Sequence, residues 1–246
     1  MWLLDRPIAH RGLHDKNLPE NSMAAFQKAI DNNYYIETDV RLLADGEVVV
    51  FHDSNLKRVC GKDVKISSLT TADIKSGNYL LPNGEHIPLF REMLELTKGK
   101  TKILLELKWC SLIDHKLEKA VYELIKGMED EITVQSFRPT TVAWFRKNAP
   151  EFFRGFLSSY TNQKWMNPFV NIHNKFALAI SKPNFLAYNI NSLPSKTIQK
   201  LVQKRGINLI AWTVRTNENL ITAKEISVDN IIFEDLPLEN NEYVKL

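Results

Sequence analysis

The sequence predicts an α/β fold, a (β/α)8 TIM barrel with a small insertion after an antiparallel hairpin strand. Three observations carry that expectation. Short apolar runs alternate with amphipathic stretches from one end to the other, the pattern of a parallel sheet with crossover helices. Eight such runs with helical patterns between them fit a chain of 246 residues, which is the arithmetic of this barrel. One segment, where Asp45-Gly46 joins two strand-like runs, breaks the alternation and marks a hairpin.

Taken in order, strands are expected near 6–10, 34–40, 102–107, 131–136, 153–157, 185–189, 207–213 and 229–233. Helical patterns fall near 21–32, 88–98, 114–127, 139–147, 169–177, 195–205 and 217–225. Asn21 or Ser22 is a natural cap for the first helix. The run 47–51 pairs with the end of the second strand through Ala44-Asp45-Gly46-Glu47 and is therefore antiparallel, not a ninth barrel strand. Residues 54 to about 87, rich in polar and turn residues such as Asp63, Ser67, Ser68, Pro82, Asn83 and Gly84, then form a small inserted subdomain within a single domain spanning 1–246. The 161–176 stretch reads as a helix packing Trp165, Phe169 and Phe176 on the barrel, in preference to a substrate-facing loop. A doubly wound open sheet is the rival architecture, because periodicity does not report closure.

Composition narrows the function classes. With 44% hydrophobic and 25% charged residues the chain is neither disordered nor collagen-like. Thirty-two Lys and Arg against 29 Asp and Glu give a net charge of +3, too near balance to mark nucleic acid or an anionic membrane as the main partner. Cys60 and Cys110 form no zinc-ligand pattern or disulfide framework. No run approaches the roughly 18 apolar residues of a membrane span, and the first residues carry no signal-peptide pattern, so a cytoplasmic protein without stable membrane insertion is expected.

The chemistry-bearing residues gather at the ends of strands. His10-Arg11-Gly12 follows the first, Glu37 and Asp39 lie two apart near the end of the second, and Glu106 and Lys108 end the third. Side chains two apart share a strand face, and the carboxyl ends of barrel strands are where active sites form. A two- or four-residue loop centred on Asp45-Gly46 pairs residues whose numbers sum to 91, setting His52 across from Asp39 with Cβ atoms about 5 Å apart. A three-residue loop shifts that pairing by one and breaks it. Three carboxylates without a cation would repel one another, and all-oxygen ligation by Glu37, Asp39 and Glu106 suits one hard divalent ion, Mg²⁺ or Ca²⁺. His10 and His52 titrate in the range that proton transfer needs. Arg11 and Lys108 supply positive charge for a phosphate. His14, Asp15 and Glu20 read as loop residues, and His86, His115 and His173 as structural residues without partners.

The run Ala9-His10-Arg11-Gly12, then Pro19-Glu20-Asn21-Ser22 with Ala25-Phe26, Glu37-Thr38-Asp39-Val40, Asp45-Gly46, Val49-Val50-Phe51-His52-Asp53, Leu56 and Arg58, closely resembles the glycerophosphodiester phosphodiesterase family. Leu105-Glu106-Leu107-Lys108, Gln135-Ser136-Phe137 and Ala211-Trp212-Thr213-Val214 follow in that family's order. The chain departs at Asn230-Ile231-Ile232-Phe233-Glu234-Asp235-Leu236-Pro237, bulkier and more acidic than the family's closing segment, and at Thr38, a place often apolar in relatives. The resemblance implies metal-assisted hydrolysis of glycerophosphodiesters to glycerol 3-phosphate and an alcohol, with His10 and His52 as acid–base pair. It likewise implies Arg11 as phosphate ligand, Glu37, Asp39 and Glu106 on the metal, Lys108 beside the substrate and Trp212 lining the pocket. The substrate is then a small phosphodiester. Two other readings keep the same residues: a phospholipase D-type reaction on lysophospholipids, for which Trp165, Met166, Pro168 and Phe169 are the candidate apolar contacts, and a phosphate-binding barrel without turnover.

Overall fold

The computed structural model describes residues 2–108, 114–159 and 167–236. Two compact units make up the chain, one of Ala9–Ile132 and one of Met1–Ile8 with Thr133–Leu246. Elements alternate as expected. After β1 (Ile8–His10) come α1 (Met23–Asp31), β2 (Tyr35–Leu42), the hairpin strand β3 (Val48–Val50), two short helices α2 (Lys57–Cys60) and α3 (Thr71–Lys75), α4 (Phe90–Thr97), β4 (Ile103–Leu107) and α5 (Lys116–Ile125). The second unit runs β5 (Ile132–Ser136), α6 (Pro139–Asn148), β6 (Arg154–Ser158), α7 (Asn167–Ser181), β7 (Phe185–Asn189), α8 (Lys196–Arg205), β8 (Asn208–Val214), α9 (Asn217–Glu225) and β9 (Asn230–Phe233). The strand order, β1-β9-β8-β7-β6-β5-β4-β2-β3 with β1 also paired to β2, is that of a (β/α)8 barrel, with β3 as the extra hairpin strand.

In the Ala9–Ile132 unit, β2 and β4 run parallel, with Glu37 opposite Leu104 and Asp39 opposite Glu106. Ser22 caps α1 by accepting a hydrogen bond from the Ala25 amide at 3.1 Å. The hairpin corrects the expected register. Arg41 pairs with Val49 and Val40 with Val50, so the numbers sum to 90, and the Phe51 amide donates to the Asp39 carbonyl. The loop has three residues: the Leu43 amide bonds the Glu47 carbonyl, the Gly46 amide donates back to Leu43, and Gly46 takes φ +88°, the left-handed position that such loops assign to glycine. His52 therefore follows the paired residues instead of facing Asp39.

The segment beyond the hairpin is more apolar inside than its composition suggests. Leu56, Ile66, Leu69, Ile74, Leu81 and Ile87 bury against Leu43, Val49, Phe51 and Leu89 in one cluster. Each such side chain, fully buried, contributes about 1.5–3 kcal/mol. Thr70 and Asp73 cap α3 reciprocally, Asp73 accepting from the Thr70 amide at 2.8 Å, and Asp45 in the hairpin turn accepts from the Thr71 amide at 2.8 Å. The turn is thus fastened to the segment that follows it.

In the second unit, β5 to β9 are parallel neighbours in chain order. Gly155 on β6 pairs with Phe185 on β7, and a Cβ there would lie 2.1 Å from the Phe185 ring. Glycine at 155 makes room for that aromatic side chain. The Asn230 side chain donates to the carbonyls of Leu3 and Arg6, fastening the N-terminal residues. α7 begins at Asn167, so helix is the right reading for its part of 161–176, but Phe176 is 66% exposed and does not pack inward. Trp165 and Met166 lie outside the described residues, as does Cys110.

Candidate active site

The site in the Ala9–Ile132 unit starts from the β2–β4 register. Because Asp39 and Glu106 are direct neighbours and Glu37 stands two residues before Asp39 on the same strand face, the three carboxylates converge. One oxygen from each lies within 4.8 Å of the others, and all three side chains are buried. Lys108, two residues past Glu106, returns its ammonium to the cluster, 2.6 Å from Glu106 Oε1 and 2.9 Å from Asp39 Oδ1. Arg11 Nε lies 3.3 Å from Asp39 Oδ2, and the Arg11 amide donates to Glu37 Oε2 at 3.2 Å. His10 Nε2 stands 4.0 Å from that same Glu37 oxygen.

Electrostatics divides the three acids. Burial, then the charges of Asp39 and Glu106, push the Glu37 carboxyl well above its ordinary range. Burial also pushes Glu106 up, to about 7, against the pull of Lys108. For Asp39 burial acts upward too, but Lys108 and Arg11 outweigh it and hold its carboxyl far below the usual range. Burial alone would lower Lys108, yet Asp39 and Glu106 raise it above an ordinary lysine. The cluster therefore holds one firmly ionised carboxylate and two that resist ionisation, the state expected where burial and like charge outweigh the neighbouring cations.

The loop after β1 shapes the rim. Arg11 and Gly12 both take positive φ, 55° and 79°, and a Cβ at Gly12 would press to 3.0 Å from Ala25 and Phe26, so glycine is required where this loop crosses α1. Asn21, also at φ 55°, donates its amide to the Arg11 carbonyl. Its side chain donates to Asp39 Oδ2 at 3.0 Å and accepts from the Thr38 hydroxyl at 2.8 Å. Thr38, the polar departure noted in the sequence, thus orients the residue that orients Asp39.

A second network holds His52. Its Nδ1 lies 2.6 Å from Asp53 Oδ1, and Arg41 donates twice to its carbonyl. Arg58 Nε donates to Asp53 at 2.7 Å while the Arg58 fork grips both oxygens of Glu20, which also accepts from Arg11. Although burial opposes it, the hydrogen bonds from Arg58 and His52 draw Asp53 down to about 2. Burial, helped by Lys108 and Arg11, lowers His52 despite the pull of Asp39 and Asp53. Ionised Asp53 only accepts hydrogen bonds, so His52 Nδ1 carries the proton and Nε2 the lone pair.

His10, Arg11, Glu37, Asp39, Glu106 and Lys108 thus come together as the sequence expected, while His52 reaches them by a different register, near enough to Asp39 that its protonated form lowers that carboxyl. Trp212 belongs to the other unit, where its ring meets Phe137 edge-on at 5.5 Å. Reading the residues missed Glu20, Asn21, Asp53 and Arg58. Their signal was the motif Pro19-Glu20-Asn21-Ser22 and the Asp53…Arg58 spacing, not residue chemistry. His86 and His115 have partners after all, bonding Glu92 at 2.9 Å and Glu118 at 3.1 Å, each carboxylate standing in the first turn of the helix that follows the histidine. The side chain of His173 lies outside the described residues.

Comparison with known proteins identifies the family. The model of the glycerophosphoryl diester phosphodiesterase family matches residues 10–237. The chain is 29% identical over 242 residues to a glycerophosphodiester phosphodiesterase of Caldanaerobacter subterraneus subsp. tengcongensis, covering 93% of both chains. It is 36% identical over 140 residues to human lysophospholipase D GDPD1, covering 52% of this chain and 43% of that one. Its fold matches, with a TM-score of 0.78, 24% identity and coverage of 96% of this chain and 95% of the other, an Oleispira antarctica phosphodiesterase solved in complex with its product sn-glycerol-3-phosphate. With a family match across nearly its full length and whole-chain likeness to a phosphodiesterase, the chain belongs to the glycerophosphoryl diester phosphodiesterase family and is a phosphoric diester hydrolase.

Proposed function

We propose that this enzyme hydrolyses soluble glycerophosphodiesters to glycerol 3-phosphate and an alcohol, in the cytoplasm. The observation that carries this reading is the buried Glu37–Asp39–Glu106 cluster with Arg11, Lys108 and two histidines around it. The donors suit a hard cation: they are all oxygen, they converge, and two of them resist ionisation because they are buried and face one another's charge. Glu37, Asp39 and Glu106 would hold Mg²⁺ or Ca²⁺. When bound, the ion supplies positive charge against the phosphate oxygens.

The chain's own groups provide the rest. Arg11 Nε is buried 3.3 Å from Asp39 Oδ2 without a hydrogen bond, and the Arg11 guanidinium would donate to a phosphate oxygen, with Lys108 adding charge. His52, neutral because burial lowers it, accepts the proton of the attacking water at Nε2 while Asp53 holds Nδ1. The water oxygen bonds to phosphorus, the phosphorus–oxygen bond to the alcohol breaks, and His10 protonates the departing alkoxide. The test is glycerol 3-phosphate release from several soluble glycerophosphodiesters with added Mg²⁺ or Ca²⁺. Release from these supports the proposal. Exclusive action on lysolipids favours the activity for which the human relative is named, and no release with any substrate favours a binding barrel.

A further inference from the structure

The net charge of +3 conceals a strong segregation. Residues 152–217 contain nine Lys and Arg and no Asp or Glu, so this part of the chain is strongly positive while the remainder is net acidic. Within it lie α7 and α8. On α7, Asn174, Ala177, Leu178 and Ser181 are buried, whereas Ile172, Phe176 and Ile180 are 64%, 66% and 38% exposed. Their spacing of four residues sets all three on one helix face, an apolar stripe open to solvent. Beside it, Lys175 on α7 and Thr197, Lys200, Leu201, Lys204 and Arg205 on α8 line a groove, and Arg205 donates to the Leu178 carbonyl, joining the two helices. Among the described residues Lys175, Lys200 and Lys204 take part in no ion pair.

From this we infer that the α7–α8 face docks the enzyme on an anionic lipid bilayer, with Ile172, Phe176 and Ile180 entering the headgroup boundary and the lysines meeting lipid phosphates. Apolar side chains flanked by uncompensated cations match an interface that is apolar below and negative above. A nucleic acid would use the cations and leave the aliphatic stripe in water. A second copy related by twofold symmetry would bring this same positive face against itself. The attachment is peripheral, since among the described residues no helix is long and apolar enough to cross a membrane. It uses no residue of the catalytic cluster and stands whether or not the hydrolysis proposed above is correct.

Co-sedimentation of the full chain with phosphatidylcholine vesicles, with and without phosphatidylglycerol, tests it. The expected result is binding only where phosphatidylglycerol is present, weakened by salt, by about fivefold for each of Lys200→Gln and Lys204→Gln and by roughly tenfold or more for Phe176→Ser with Ile172→Ser. Thermal melts confirm that these exposed substitutions leave the fold intact. Three results overturn the inference: no binding or equal binding to neutral vesicles; loss with the lysine variants but not with Phe176→Ser and Ile172→Ser, which denotes a purely electrostatic polyanion site; or a concentration-dependent dimer in light scattering that Phe176→Ser abolishes.

Discussion

His52 shows how one neighbouring group decides what an imidazole can do. Its Nδ1 proton is held by Asp53, whose carboxyl Arg58 and His52 keep ionised down to about pH 2, leaving Nε2 as the basic atom. Asp53 pulls the His52 pKa upward against burial. Asp53→Asn should therefore move the NMR-monitored His52 titration to still lower pH and lower turnover by roughly 10²- to 10⁴-fold through loss of the oriented tautomer; an unmoved titration would sever the two. Glu37 behaves in the opposite sense. A carboxyl whose pKa rises on folding binds more protons folded than unfolded, so its contribution to stability falls as pH climbs past its ordinary value of 4.5. In metal-free protein Glu37→Gln should thus melt higher than wild type at pH 8, by about 2–4 °C per kcal/mol of relieved cost, with the gap closing near pH 4. Calorimetric scans at the two pH values check this.

Secondary-structure elements matter here chiefly through their registers. The parallel pairing of β2 with β4 sets Asp39 beside Glu106, and a one-residue slip would turn the carboxylates to the opposite face. At β6 and β7, the Phe185 ring occupies the space over Gly155. Gly155→Ala should destabilise the protein by about 1–3 kcal/mol through overpacking, and Phe185→Leu should be better tolerated in that background than alone. A double-mutant cycle in urea measures the coupling; additive effects would mean that the two sites do not share this space. The hairpin teaches the same lesson about loops: Gly46 in a left-handed conformation makes a three-residue turn, and one added loop residue is enough to change which residue faces Asp39.

For the folded protein taken together, the consequence of the acidic cluster is linkage. A cation that binds the native state and not the unfolded chain raises stability, by about 2.7 kcal/mol at a hundred times its Kd. Melting temperature should rise with Mg²⁺ or Ca²⁺ in wild type and fail to rise in Glu37→Gln, Asp39→Asn and Glu106→Gln, while chelation abolishes turnover. If all three variants respond as wild type does, the ion binds elsewhere.

Alternation of apolar runs and amphipathic helices was enough to place eight strands within a few residues of where they lie, because burial of one helix stripe and of whole strands writes a period into the chain. Spacing also brought Glu37 to Asp39 and Glu106 to Lys108, since strand geometry makes neighbours of residues two apart. The network of Glu20, Asn21, Asp53 and Arg58 carries no such period: its members meet only because a loop with positive φ at Arg11 and Asn21 folds across the strand ends, and backbone dihedrals of that kind leave little trace in residue type. The exposure of Ile172, Phe176 and Ile180 was equally hidden, because an apolar stripe reads the same whether it faces a core or solvent. Which of two apolar faces is covered depends on the elements packed beside it, and that is settled only when the chain has folded.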